Sequence, residues 1–214
     1  MSFGELLFRA ARRLSASRTL GKTIGLGFGF LSPLLPVKRV LEDEHFIAFP
    51  HPRPAFPDHI LLVPKKAVAT FVDLLEPGNE PQLRASILGG REIVRQQKWS
   101  TYSFGVNCGA YQDVAQVHFH LYEGTPHYEP LGDTPPGYRV LTAHGQEICH
   151  HPSPNRKTHL VMRVSRYESE IDSIRHAILE ILDSTPALRF ACTIFIEFPS
   201  SETEEIIFHL VSDG

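Results

Sequence analysis

Arg39-Val40-Leu41, His51-Pro52-Arg53-Pro54 and His59 open a stretch that returns, at the same spacing, as Arg139-Val140-Leu141, His151-Pro152-Ser153-Pro154 and His159. Further along, Val117-His118-Phe119-His120-Leu121 is answered by Ile206-Ile207-Phe208-His209-Leu210, which keeps Phe, His and Leu but sets Ile207 against His118. A unit written twice, with one imidazole kept and one lost, predicts an active half and a supporting half. A period of about a hundred residues is close to the size of a folding unit. It exceeds the period of solenoid repeats, so the pattern predicts a tandem pair.

The 214-residue chain is 42% hydrophobic and 21% charged, ordinary for a globular protein. Its net charge of −3 is unevenly placed. Residues 1–40 carry Arg9, Arg12, Arg13, Arg18, Lys22, Lys38 and Arg39 against Glu5 alone, and the rest of the chain is acidic. No broad basic face is expected, so nucleic acid is not an expected partner. Cys108, Cys149 and Cys192 are odd in number and lack CxxC spacing, which suits buried thiols in a reducing compartment such as the cytoplasm.

Within residues 1–36, Leu6, Leu7, Ala10, Ala11 and Leu14 recur at helical spacing with arginines on the other face. Three readings stay open for this amphipathic arm. It can pack on its own protein, lie on an anionic membrane surface as a peripheral contact, or serve as a mitochondrial or plastid transit peptide. The apolar run from Ile24 to Val37 is too short and too interrupted by proline to span a bilayer.

After the arm, residues 37–41 and 46–49 read as strands around the acidic turn Glu42-Asp43-Glu44. The prolines of 51–57 make a loop that leads into the apolar strand Ile60-Leu61-Leu62-Val63. Helices are expected over 68–75 and 80–98, the second burying Leu83, Ile87, Ile93 and Val94, with Gly89-Gly90 admitting a close neighbour. Strands over 102–107 and 114–121 complete a unit spanning 37–123, and a linker-like stretch follows over 124–137. The order then repeats in 138–214: strands at 138–141, 147–150 and 159–164, a helix over 168–182, and a hairpin of 190–198 with 205–211. Each half is expected to be α+β, an antiparallel sheet with helix packed on one face.

In a strand, residues i and i+2 share a face. Gln116, His118 and His120 should therefore point one way, with Val117, Phe119 and Leu121 in the core. Two imidazoles and an amide in a row need hydrogen-bond partners or solvent, and His59 can converge on the same face. Satisfied strand histidines are the plain alternative for this pattern. A zinc site completed by His59 or His51 is another, although no cysteine or acid stands at a spacing that would finish it. His150 and His151 read as a solvated pair, His209 as structural, and Lys65-Lys66 as a polar strand end with a phosphate clamp left open.

The phrase from Ile47 to Lys66, with His51-Pro52-Arg53-Pro54, His59 and Pro64-Lys65-Lys66, resembles the first half of a histidine triad (HIT) domain. Gln112-Asp113-Val114-Ala115-Gln116-Val117-His118-Phe119-His120-Leu121 resembles the triad itself, with Gln116 at its first position. The likeness covers about residues 37–123 and includes Asn107. Two such units in one chain resemble the galactose-1-phosphate uridylyltransferase branch, in which tandem units replace a homodimer. That resemblance implies a monomer with an internal pseudo-dimer whose second unit is degenerate.

The resemblance also implies roles. His118 would be the nucleophile, attacking the α-phosphorus of a nucleotide to give a nucleotidyl-histidine intermediate. Imidazole suits this step because it has a free ring nitrogen near neutrality and leaves well afterwards. His120 would bond phosphate oxygens or protonate the leaving group, with Gln116 and His59 supporting it. Asn107, Gln112, Asp113 and His51 would bind substrate, Asp113 at the phosphate and His51 at the ribose. The expected activity is nucleotide hydrolysis or nucleotidyl transfer with no cofactor and no metal, a purine nucleotide phosphate or phosphoramidate being the substrate class. The alternative is a non-catalytic nucleotide-binding protein.

Overall fold

The computed structural model describes residues 38–125, 139–144, 146–151, 158–166, 171–199 and 205–213. The arm, the linker after Thr125 and the start of the 168–182 helix therefore lie outside the described residues. Among the described residues, five strands and two helices come first: β1 (Leu41–Glu42), β2 (Phe46–Pro50), β3 (Ile60–Pro64), α1 (Phe71–Leu74), α2 (Glu80–Gln97), β4 (Tyr102–Gly109) and β5 (Phe119–Glu123). The remaining elements are β6 (Arg139–Ala143), β7 (Gln146–His150), β8 (Thr158–Val164), α3 (Ile171–Ser184), α4 (Pro186–Phe190), β9 (Ala191–Glu197) and β10 (Ile206–Ser212).

All ten strands join one antiparallel sheet in the order β1-β2-β3-β5-β4-β9-β10-β8-β7-β6. Read inward from either edge, the order is the first, second, third, fifth and fourth strand of that half, so β4 and β9 meet in the middle. Their register pairs Gly105 with Phe195, Asn107 with Thr193 and Cys108 with Cys192. The edge that β4 would otherwise leave open is thus paired by the same chain.

Strand alternation sorts the two faces. Phe46, Ala48, Leu62, Phe104, Val106, Phe119 and Leu121 join Phe71, Leu74, Leu83, Ile87, Ile93, Ile174 and Ile178 in one core beneath the helices. Ile47, Phe49, Leu61 and Val63 form a smaller cluster on the opposite face. Fully burying one of these large side chains contributes roughly 1.5–3 kcal/mol. A Cβ at Gly89 would overlap the Phe46 ring and one at Gly90 the Phe104 ring, so the glycine pair brings α2 onto the sheet.

Local signals account for the boundaries. Asp43 Oδ1 accepts from the backbone N–H of His45 (2.7 Å) and Phe46 (2.8 Å), closing the acidic turn. Thr70 and Asp73 form a capping box at the start of α1. Pro81 begins α2, and Lys98 ends it in the left-handed region at φ 58°. All three cysteines are buried.

Three expectations need correction. The strand placed over 114–121 begins only at Phe119, because residues 112–118 bond to the 64–69 connection instead of to a neighbouring strand. The short helix α4 was not foreseen; Pro186 starts it just before β9. His151 is buried at 8% exposure rather than solvated, since its backbone N–H bonds the carbonyl of His159 (2.8 Å) and its ring packs on His159.

Arg175, 3% exposed on α3, ties the two halves together beneath the sheet. Its Nε donates to the carbonyl of Leu75 (2.6 Å), and its Nη1 donates to Glu80 (2.8 Å) and Asp172 (2.8 Å). Arg175→Met keeps the apolar stem but strands a buried carbonyl and a half-buried carboxylate. A loss of about 3 kcal/mol of unfolding free energy is expected, read as a lower urea midpoint at unchanged slope. An unchanged midpoint would show that the network adds nothing net.

Candidate active site

The site lies on the sheet face opposite the helices, where β3 and β5 run side by side. Leu61 pairs with His120, so His59, two residues before Leu61, shares the His120 face. The proline-bearing loop folds back so that the His51 N–H bonds the His59 carbonyl at 2.7 Å. His51 then stacks on His59 with centroids 4.3 Å apart and planes 11° apart.

Hydrogen bonds fix the tautomers of this row. The Ala55 N–H donates to His59 Nδ1 (3.4 Å), so His59 carries its proton on Nε2. That Nε2–H meets His120 Nδ1 at 3.0 Å, which places the His120 proton on Nε2. His120 Nε2 is buried and has no hydrogen-bond partner among the described residues. Among the described residues the row therefore ends in a buried N–H that nothing accepts.

His118 is held separately. Its Nδ1 lies 2.8 Å from the carbonyl of Gln116, an acceptor, so Nδ1 bears the proton and Nε2 keeps its lone pair. The ring stands edge-on to His120 at 4.9 Å and is partly exposed. Gln116, 2% exposed, does not join the histidine row. Its Nε2 donates to the carbonyls of Pro64 (3.1 Å) and Lys66 (3.2 Å), and its Oε1 accepts from Val68 N–H (3.3 Å). Gln112 adds bonds from Nε2 to the carbonyls of Ala69 (2.5 Å) and Val114 (2.6 Å). These two amides lay the segment before β5 along the 64–69 connection and so set where His118 stands.

The other expected residues lie around this core. Asn107 sits within β4, where its Oδ1 accepts from Thr193 Oγ1 at 2.9 Å. Asp113 is exposed beside the segment. Lys65 bonds Glu42 (2.8 Å) and the Asp43 carbonyl, and Lys66 bonds the Gly78 carbonyl (2.9 Å), so both ammoniums serve the fold.

Electrostatics keep the cluster neutral. Burial, with His51 and His118 nearby, pushes His59 down to about 4. Burial and the three neighbouring imidazoles push His120 down to about 2. His118 is lowered by burial against the opposing pull of its bond to Gln116 and the charge of Asp113. His51 is lowered by burial as well.

The linkage has a definite sign. Above pH 6.5 both folded and unfolded chains hold these rings neutral. As pH falls, the unfolded chain takes up protons that the folded chain refuses, down to about 4 for His59 and about 2 for His120. Stability should therefore drop on acidification from pH 6.5, by at most about 1.4 kcal/mol per pH unit for each histidine. Urea midpoints between about pH 7 and pH 5 test this; a midpoint that holds steady in wild type would contradict it.

Nitrogens of His51, His59 and His120 come within 4.8 Å of one another, close enough to raise a metal reading. A bound ion lies close to the plane of each imidazole that ligates it, at about 2.1 Å for zinc. His51 and His59 are stacked face to face and cannot share an ion in that arrangement.

The second half carries the counterpart of the His59–His120 pair, with Ile207 in the place of His118. His159 Nε2 meets His209 Nδ1 at 3.1 Å, and those rings stand 5.4 Å apart at 41°, against 5.3 Å and 40° for His59 and His120. His209 Nε2, however, donates to Glu197 Oε2 at 3.0 Å. Glu197 and Thr193 carry no signal in the sequence, because their partners lie far along the chain or across the sheet.

The HIT domain profile matches residues 34–127. An HIT-like protein of Azospirillum brasilense is 32% identical over 94 residues, covering 42% of this chain and 77% of that protein. An HIT-like protein of Methanocaldococcus jannaschii is 36% identical over 104 residues, covering 46% and 75%. A DUF4931 family protein from Bacillus cereus has the same fold at 13% identity and a TM-score of 0.56, covering 82% of this chain and 85% of that one. With relatives above 30% identity matched over most of their own length, and the histidine row standing within the matched residues, the chain belongs to the HIT family.

Proposed function

We propose that this protein is a nucleotide phosphate hydrolase or nucleotidyltransferase working through a nucleotidyl-histidine intermediate on His118. The observation that carries the proposal is the bond from His118 Nδ1–H to the Gln116 carbonyl, which leaves a bare Nε2 on a neutral, partly exposed ring. Nε2 attacks the α-phosphorus, a P–N bond forms, and the leaving group departs with the pair from its bond to phosphorus. The positive charge then carried by the ring is stabilised at Nδ1–H by the Gln116 carbonyl. Water or another acceptor next attacks phosphorus, its proton passing to solvent, and the P–N pair returns to Nε2.

His120 Nε2–H and the amide of Asn107 are the donors for phosphate oxygens in this reading. A neutral site suits an anionic substrate because it offers no carboxylate in the histidine row. The substrate class is a purine nucleotide phosphate or phosphoramidate. The second half acts as a degenerate HIT-like unit in the place of a partner subunit, as in the tandem arrangement of the uridylyltransferase branch, so the working unit is a monomer.

The test is intact-mass spectrometry after brief incubation with a nucleotide pool, quenched without acid because phosphoramidates are acid-labile. The expected result is a gain of one nucleoside monophosphate, which also names the base. Saturable nucleotide binding with neither adduct nor turnover would instead select the non-catalytic binding protein.

A further inference from the structure

We infer that Thr193, on β9 of the second half, is a positioning residue for the site in the first half: its hydroxyl keeps Asn107 off His120 Nε2. The inference rests on the proposed function and assigns a residue that it does not use.

Equivalent positions in the two halves differ beside the imidazole. Asn107 lies two residues beyond Gly105, which pairs with His120. Glu197 lies two residues beyond Phe195, which pairs with His209. The two side chains thus occupy corresponding places beside corresponding imidazoles. Glu197 uses its place to accept the proton of His209 Nε2 at 3.0 Å. A carbonyl-type oxygen at this position therefore points toward that ring nitrogen.

Asn107 has such an oxygen, one methylene shorter, yet His120 Nε2 has no hydrogen-bond partner among the described residues. The difference is Thr193, the cross-strand partner of Asn107, whose Oγ1–H donates to Asn107 Oδ1 at 2.9 Å. With Oδ1 engaged, the amide presents Nδ2–H to the site, and His120 Nε2–H stays available. Two donors then face the same phosphate. Without the Thr193 hydroxyl, Oδ1 and His120 Nε2–H would be an unpaired acceptor and donor at a shared site. They would satisfy each other directly or through one water, which withdraws both from the substrate.

The experiment compares Thr193→Val and Thr193→Ser in the full chain. It reads kcat and KM with the nucleotide that labels wild type, and the imidazole nitrogen resonances of His120 without substrate. Val should lower kcat by roughly ten- to a hundredfold and shift the His120 Nε2 resonance. Ser should restore both. Val matching wild type in both readouts overturns the inference. Equal impairment by Val and Ser also overturns it, because the effect would then come from packing and not the hydroxyl. If wild type neither labels nor turns over nucleotides, the proposed function fails, and the resonance shift alone still decides whether Thr193 governs His120.

Discussion

His118→Ala is expected to abolish turnover, by on the order of 10⁴-fold or more, and to prevent any nucleotidyl adduct while the protein stays folded. The magnitude follows from the role: a covalent route lost with its nucleophile leaves only what binding and fixed donors can do. The fold should survive because His118 is partly exposed and its ring bonds the Gln116 carbonyl, which solvent can satisfy once the ring is gone. Val117 and Phe119, which flank it, carry the packing at 1% and 0% exposure. Burial lowers the His118 titration, so the acid limb of the wild-type pH–rate profile should lie below pH 6.5. Full activity in His118→Ala would sink the mechanism, and an acid limb above pH 6.5 would show that burial does not govern the ring.

The sheet was legible because its inner strands are short apolar runs bounded by turn residues. Ile60 to Val63 and His159 to Val164 stand where their apolar patterns put them, and α2 buries the Leu83, Ile87 and Ile93 stripe that its period predicts. The pairing of His59 with His120 was legible as convergence on one face, although not as a tautomer chain. Other features leave no period to read. Gln116 sits at a triad position, but its partners are backbone carbonyls 50 and 52 residues away. Its departure from the expected face follows from those bonds. Arg175 and Thr193 likewise act across 95 and 86 residues, and a lone polar residue in an apolar run does not announce its partner. The duplication in the sequence pointed to two halves, whereas the register at β4 and β9 decides which side chains of one reach the other.

His120 should prove to be a hydrogen-bond donor and not the acid that protonates the leaving group. Burial and three neighbouring imidazoles push it down to about 2, so the ring meets substrate neutral, with its only proton on Nε2. A neutral imidazole gives up that proton reluctantly but donates a strong hydrogen bond to a developing phosphoryl charge, held in place by the His59 bond at 3.0 Å. His120→Ala should then cost roughly 10²–10³-fold in kcat, the scale of losing one fixed donor. His120→Gln returns an N–H near the Nε2 position without an ionisable group, and should recover most of that loss. The test is to measure both variants with two nucleotide substrates, one releasing a stable anion and one releasing a basic alkoxide or amine. A donor predicts the same loss for both substrates and rescue by Gln with each. A loss confined to the basic leaving group, unrelieved by Gln, would instead make His120 the acid, with the bound phosphate supplying the charge that raises its titration.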